Sequence, residues 1–232
     1  MKINNTFFVL DTETGGLDPN SASLMEIAGV IIKDWKIVKK YSAIVKSPDG
    51  KYLCNDFARK MHGITDEIAN TKGKLPTEII KDLKDIRDEY FGGEPMTIIA
   101  HNAAFDVSFV KKMFVDAGNA LSSTNTVNEY SYDKIFSRNA IDTATMALIL
   151  SVQGRLPFER CSLDNILKFY NIPVPENLRH TALGDAKQTA QAFMLMFKQL
   201  SNNNLVVKNG KNNEYDTDFD DEKKLNLPPD RE

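Results

Sequence analysis

The sequence predicts an α/β domain built on a mixed sheet, on three observations. Short runs of apolar, aromatic and β-branched residues at 7–10, 26–32 and 97–100 have the length and composition of buried strands. Longer stretches, such as 77–90 and 182–200, repeat their apolar residues at helical spacing. The order of the two matters as well: three early strands come first, and strands then alternate with helices.

Residues 7–10 (FFVL) read as a buried strand that ends at Asp11. Residues 26–32 (EIAGVII) and 36–45 (KIVKKYSAIV) read as the next two, joined by Lys33, Asp34 and Trp35, a connection short enough for a hairpin. In 77–90, Ile79, Ile80, Leu83 and Ile86 form one stripe of a helix whose other positions are charged. Residues 97–100 (TIIA) are a strand, 105–117 a helix, 139–142 a short strand, and 143–150 a helix. Ser162 has the chemistry of an N-cap for a helix reaching about Tyr170. The last helix spans 182–200, with Ala186, Ala190, Phe193 and Phe197 in register.

The chain has 232 residues, 42% hydrophobic and 26% charged, values near the globular average that exclude wholesale disorder. No apolar run approaches the roughly 20 residues of a membrane helix, and the first residues lack the pattern of a secretory signal. Two cysteines, Cys54 and Cys161, make neither a disulfide framework nor a zinc site by themselves. A cytoplasmic protein with no membrane partner is the expectation. The net charge of −3 by itself argues against nucleic-acid binding. The acid is concentrated, however: residues 213–232 hold eight acids against three bases, and residues 1–212 hold 26 bases against 24 acids. The expected division is therefore a folded domain over 1–200, an Asn-rich linker over 201–213 and an acidic, disordered tail over 214–232.

Within the folded part, acids stand at element ends. Asp11 and Glu13 lie two apart, so strand alternation sends both to one face, and Gly15-Gly16 behind them allows a sharp turn and close approach of a ligand. Asp106 falls in the first turn of the helix that follows strand 97–100, where the helix dipole favours a carboxylate. His180 precedes the last helix, and Asp185 stands about one and a half turns beyond it. Each residue has an ordinary reading as a solvated acid or a helix-start side chain. Four acids and one imidazole at element ends of an α/β sheet, where such folds place their sites, point further. Clustered carboxylates repel one another unless cations neutralise them, and an all-oxygen donor set suits Mg²⁺ or Mn²⁺.

In order along the chain, residues 11–19 (DTETGGLDP), 100–106 (AHNAAFD) and 180–186 (HTALGDA) resemble the three motifs of the DEDDh 3′–5′ exonucleases, the family of the epsilon proofreading subunit of bacterial replicative DNA polymerase. The likeness runs from about Thr6 to Leu200. Residues 61–65 (MHGIT) match a further family segment, and 141–143 and 162–164 fall where the family places similar residues. A histidine five residues before the last aspartate marks the His-type branch.

The resemblance implies a ribonuclease-H-like fold, a five-stranded sheet in order 3-2-1-4-5 with strand 2 antiparallel. It implies two divalent cations, Mg²⁺ or Mn²⁺, with Asp11, Glu13 and Asp185 on the first and Asp11 bridging to a second supported by Asp106. His180 would be the general base, and a nucleoside 5′-monophosphate the product. The backbone of Thr14, Gly15, Gly16 and Leu17 would meet the terminal nucleotide, with Leu17 as a wedge against its base. Phe105 could stack on a base or belong to the core. His62, His101 and Asn102 would border the pocket or fix local backbone. The substrate so implied is a single-stranded 3′ end, DNA before RNA. An RNA 3′-end-trimming enzyme is the first rival, and a polymerase- or clamp-recruiting module the second. The latter draws on Leu225, Asn226, Leu227 and Pro228 in the tail, a fragmentary likeness to clamp-binding peptides.

Overall fold

The computed structural model describes residues 5–121, 130–175 and 180–201. Its sheet has five strands: β1 (Thr6–Thr14), β2 (Leu24–Lys33), β3 (Lys36–Ile44), β4 (Met96–Ala100) and β5 (Phe136–Asp142). The order is β3-β2-β1-β4-β5. β2 runs antiparallel to β1 and β3, while β4 is parallel to β1 and to β5. This is the expected ribonuclease-H-like sheet. Asp34 and Trp35, both with positive φ, form the two-residue turn between β2 and β3 that the short connection required.

Helices cover both faces. α1 (Asp56–His62), α2 (Asp66–Lys72) and α3 (Pro76–Phe91) follow β3; α4 (Ala103–Leu121) follows β4. α5 (Tyr132–Ile135) precedes β5, and α6 (Thr143–Val152), α7 (Leu163–Phe169) and α8 (Ala182–Ser201) come after it. Alternation along β1 divides the core in two. Phe7 and Val9 pack with Ala28, Val30 and Ile99 against α6, α7 and α8. Phe8 and Leu10 pack with Ile27, Ile31 and Ile98 against α3 and α4. A central strand covered on both sides carries apolar side chains in both registers, which is why residues 7–10 form an unbroken apolar run. Gly29 on β2 makes room for this packing, since a Cβ there would lie 1.9 Å from Cζ of Phe8.

Several boundaries differ from the sequence reading. β1 does not end at Asp11 but continues to Thr14, because β2 pairs with it along its whole length. Its ladder with β4 is far shorter, Phe8 with Ile98 and Val9 with Ile99. Asp11 and Glu13 therefore lie inside a strand, but beyond the stretch that pairs with β4. β5 begins three residues earlier than expected, α4 two residues earlier, and α8 runs on through Ser201. The short helices α1, α2 and α5 were not foreseen. The rest of the proposed linker, and the tail over 214–232, lie outside the described residues. No described helix is long and apolar enough to cross a membrane.

Candidate active site

The alternation that sorts the core also sorts the acids. Asp11 and Glu13 continue the series Phe7, Val9 and therefore point toward α8. There they meet Asp185 in the first turn of that helix: one carboxylate oxygen from each of the three lies within 4.8 Å of the others. At that spacing each pair of ionised carboxylates repels by about 3 kcal/mol at an effective dielectric of 20. Three pairs together approach the whole stability of a typical domain, ~5–15 kcal/mol. The cluster must then take up a proton or a cation. Asp11 shows the strain directly: burial, and then the charges of Asp106, Asp185, Glu13 and Glu26, hold its carboxyl well above the usual carboxylate range. The donors are all carboxylate oxygens, the set suited to hard divalent ions, so the residues present fit such a cation.

Asp106 stands apart from this trio. It lies in the first turn of α4, a helix that packs on the other side of the sheet from α8, and is 4% exposed. Thr12, the residue between Asp11 and Glu13, donates its hydroxyl to Asp106 Oδ1 at 2.8 Å. Burial nevertheless pushes the Asp106 carboxyl up to about 7, against the lowering effect of the Thr12 hydrogen bond. The field of Asp106 reaches Asp11, although its oxygens are not among those of the cluster.

His180 is exposed and stands two residues ahead of α8 with φ of 57°, a left-handed backbone uncommon for a residue with a side chain. Thr181 caps the helix by accepting the Gly184 N–H on its hydroxyl at 3.1 Å. His180 thus stands just ahead of the helix that carries Asp185.

The remaining expected residues divide. Leu17 is 88% exposed, as the wedge reading requires. Thr14 donates its hydroxyl to the Gly16 carbonyl at 2.7 Å and so ties the loop behind β1. Gly15 is a point of close approach within the chain. A Cβ there would sit 2.1 Å from the Leu53 carbonyl oxygen and 2.7 Å from Cα of Cys54, and its N–H and carbonyl bond Ser23 and Asn55. Gly16 is less crowded, with a Cβ 3.1 Å from that of Ala22. Phe105 is half-buried, its ring 5.1 Å from that of Phe109.

His62 is 1% exposed and acts on backbone: its Nδ1 accepts the Ile64 N–H at 3.0 Å, and its Nε2 lies 3.6 Å from Cys54 Sγ. The surrounding HGIT residues join two helices, with Gly63 ending α1 at φ 65° and Thr65 capping α2. His101 and Asn102 form the turn from β4 into α4. His101 Nδ1 lies 3.0 Å from the Thr143 hydroxyl, and burial holds its imidazole below the ordinary histidine value. Asn102 takes a left-handed φ of 64° and donates its N–H to Asp142, which also caps α6.

Three contributors escaped the sequence reading: Thr12, Asp142 in its bond to the Asn102 turn, and Glu26. Glu26 had a legible signal, as a carboxylate at the head of an otherwise apolar strand. Thr12 and Asp106, 94 residues apart, left none.

Comparison with known proteins gives the chain a family and its sheet a known fold. The profile of the exonuclease family of the RNase T type matches residues 8–193. A PolC-type DNA polymerase III of Thermotoga petrophila is 30% identical over 195 residues, 82% of this chain and 12% of that one. A DNA polymerase III subunit epsilon-like protein of Rhodobacter capsulatus is 27% identical over 206 residues, 87% of this chain and 25% of that one. The chain thus spans a quarter or less of the length of these relatives. Among solved structures, E. coli exonuclease I in complex with a dT13 oligonucleotide superposes with a TM-score of 0.66 at 18% identity, covering 85% of this chain and 42% of that one. The zinc-bound form of the exonuclease I–single-stranded DNA complex gives 0.64 at 19% identity, covering 85% and 41%.

Proposed function

The chain belongs to the exonuclease family, and from that premise we propose that it removes nucleotides from the 3′ end of single-stranded DNA, using two divalent cations, Mg²⁺ or Mn²⁺. The observation that carries this reading is the convergence of Asp11, Glu13 and Asp185 within 4.8 Å, with His180 just ahead of the same helix.

When bound, the cations supply positive charge to the scissile phosphate and acidify the attacking water. The rest falls to side chains. Asp11, Glu13 and Asp185 would hold the first ion, and Asp11 with Asp106 would support the second. His180, exposed and two residues ahead of α8, takes the proton of the attacking water as general base. A nucleoside 5′-monophosphate departs. Leu17, standing clear of the surface, packs against the terminal base while the Thr14–Gly16 backbone positions its sugar. DNA is preferred over RNA in this proposal because the relatives are DNA polymerases by name and the superposed enzyme holds single-stranded DNA. Service to a replicative polymerase, in proofreading or repair, follows from the same relatives.

The His180→Ala variant tests the assigned chemistry. Turnover should fall by roughly 10²–10⁴-fold while Mn²⁺ binding, followed by calorimetry, is retained. Normal turnover would remove His180 from the mechanism. Parallel rates on DNA and RNA oligonucleotides should favour DNA; faster cleavage of RNA would reassign the substrate.

A further inference from the structure

Glu26 is a buried carboxylate that the proposed chemistry does not use. It is 8% exposed and sits in β2 between Met25 and Ile27, both fully buried. The register places it directly opposite Glu13 of β1. Like charges facing each other across strands destabilise a sheet by about 0.2–1 kcal/mol, so nearby hydrogen-bond donors must offset the pairing.

Two donors do so. Ser42 on β3 donates its hydroxyl to Oε1 at 2.6 Å, and the Ala182 N–H donates to Oε2 at 3.4 Å. Ala182 is the first residue of α8, a helix of 20 residues. Its N–H has no partner inside the helix, and the helix dipole favours an anion at that end. Gly184 N–H is taken by the Thr181 hydroxyl, so Glu26 and Thr181 divide the first-turn donors between sheet and cap. Glu26 supplies none of the clustered oxygens, yet its charge is felt at Asp11.

Resting on the cation site proposed above, we propose that Glu26 is a positioning residue that fastens the first turn of α8 to β2 and thereby sets Asp185 against Asp11 and Glu13. Asp185 follows Ala182 by three residues on the same helix, so a shift of that turn carries its carboxylate with it. Cation sites tolerate ligand displacements of only a few tenths of an ångström. A tether from the strand layer to the helix layer is what two ligands on β1 and one on α8 require.

Calorimetric Mn²⁺ titration and the Mn²⁺ dependence of nuclease rate, on the full chain, test this. Glu26→Ala should lose about 10- to 100-fold in Mn²⁺ affinity, and excess Mn²⁺ should restore much of its rate, because the ligands remain but are less well placed. Glu26→Gln can offer its amide oxygen to Ala182 and its NH₂ to Ser42, and should recover most of the loss. Ser42→Ala leaves the carboxylate but frees one oxygen and should fall between, which keeps the test open if Glu26→Ala does not fold. Wild-type Mn²⁺ affinity in Glu26→Ala, or in Ser42→Ala where Glu26→Ala is not folded, would overturn the role. So would a loss in Glu26→Gln equal to that in Glu26→Ala. If the wild type binds no more Mn²⁺ than Asp11→Ala, the cation site itself fails and the Glu26 role with it; if only those two differ, the fault lies with Glu26 alone.

Discussion

Asp185 and Asp106 begin from the same position and arrive at different states. Each lies in the first turn of a long helix, and each helix packs against β1. Asp185 is half-buried and meets Asp11 and Glu13 on the α8 face. Asp106 is buried on the α4 face, where it holds the hydroxyl of Thr12. One residue of alternation in β1 makes the difference. It sends two carboxylates to one helix and a hydrogen-bond donor to the other. The α8 face accumulates charge that only a cation or a proton relieves, while on the α4 side burial pushes the Asp106 carboxyl up to about 7 despite its Thr12 partner.

The largest effect should come from the charged face. Asp185→Asn removes one of three clustered carboxylates and should lower nuclease rate by more than about a thousandfold, with Mn²⁺ affinity falling in the same variant. Unchanged affinity would show that the cluster is not the cation site.

The next test belongs to the other face. The Asp106 carboxyl is raised from 3.8 to about 7, so the folded state binds more protons than the unfolded state between those values. Stability in EDTA should therefore be highest below pH 4 as far as this group is concerned, and should decline as pH rises toward 7. At pH 8 the contribution is at most about 4 kcal/mol. Asp106→Asn, still able to accept from Thr12, should melt higher than wild type at pH 8 and lose that advantage at pH 4. Equal differences in melting temperature at the two pH values would contradict the assignment.

Thr12→Val should cost about 1–3 kcal/mol, since it leaves a buried acceptor without its donor, and should lower Mn²⁺ affinity far less than Asp185→Asn, because the three clustered carboxylates remain. The smallest effect is that of Leu17→Ala. Its side chain contacts solvent, so stability should stay within about 0.5 kcal/mol of wild type, while KM for a DNA oligonucleotide rises and kcat barely changes. An unaltered KM would dismiss the wedge.

The contrast also explains what the sequence made legible. The strand of residues 7–10 follows from its apolar composition, and the helix beginning at Ala182 and the shared face of Asp11 and Glu13 follow from periodicity; the structure agrees with each. The extension of β1 through Thr14 does not, because Asp11 and Glu13 disfavour a strand and interrupt the signal of Thr12 and Thr14, and the segment is held there by pairing with β2. α1 and α2 are seven residues each, too short for periodicity to emerge, although the Asn55 and Thr65 caps and Gly63 mark their ends. Gly15 was legible as a close approach but not as an approach to Leu53 and Cys54. Charge at Asp11 and Glu13 could be read locally; the partner of Asp106 could be known only once β1 and α4 had been brought together.

The central claim is that the carboxylates of the α8 face make this chain a cation-dependent nuclease acting from the 3′ end. Digestion of a 5′-end-labelled single-stranded DNA with Mg²⁺ or Mn²⁺ tests it most directly, with Asp11→Ala and EDTA as controls. A ladder shortening stepwise from the 3′ end and release of nucleoside 5′-monophosphates are expected, and neither in the two controls. Digestion that survives EDTA or Asp11→Ala, or an intact oligonucleotide in the presence of both cations, would contradict it.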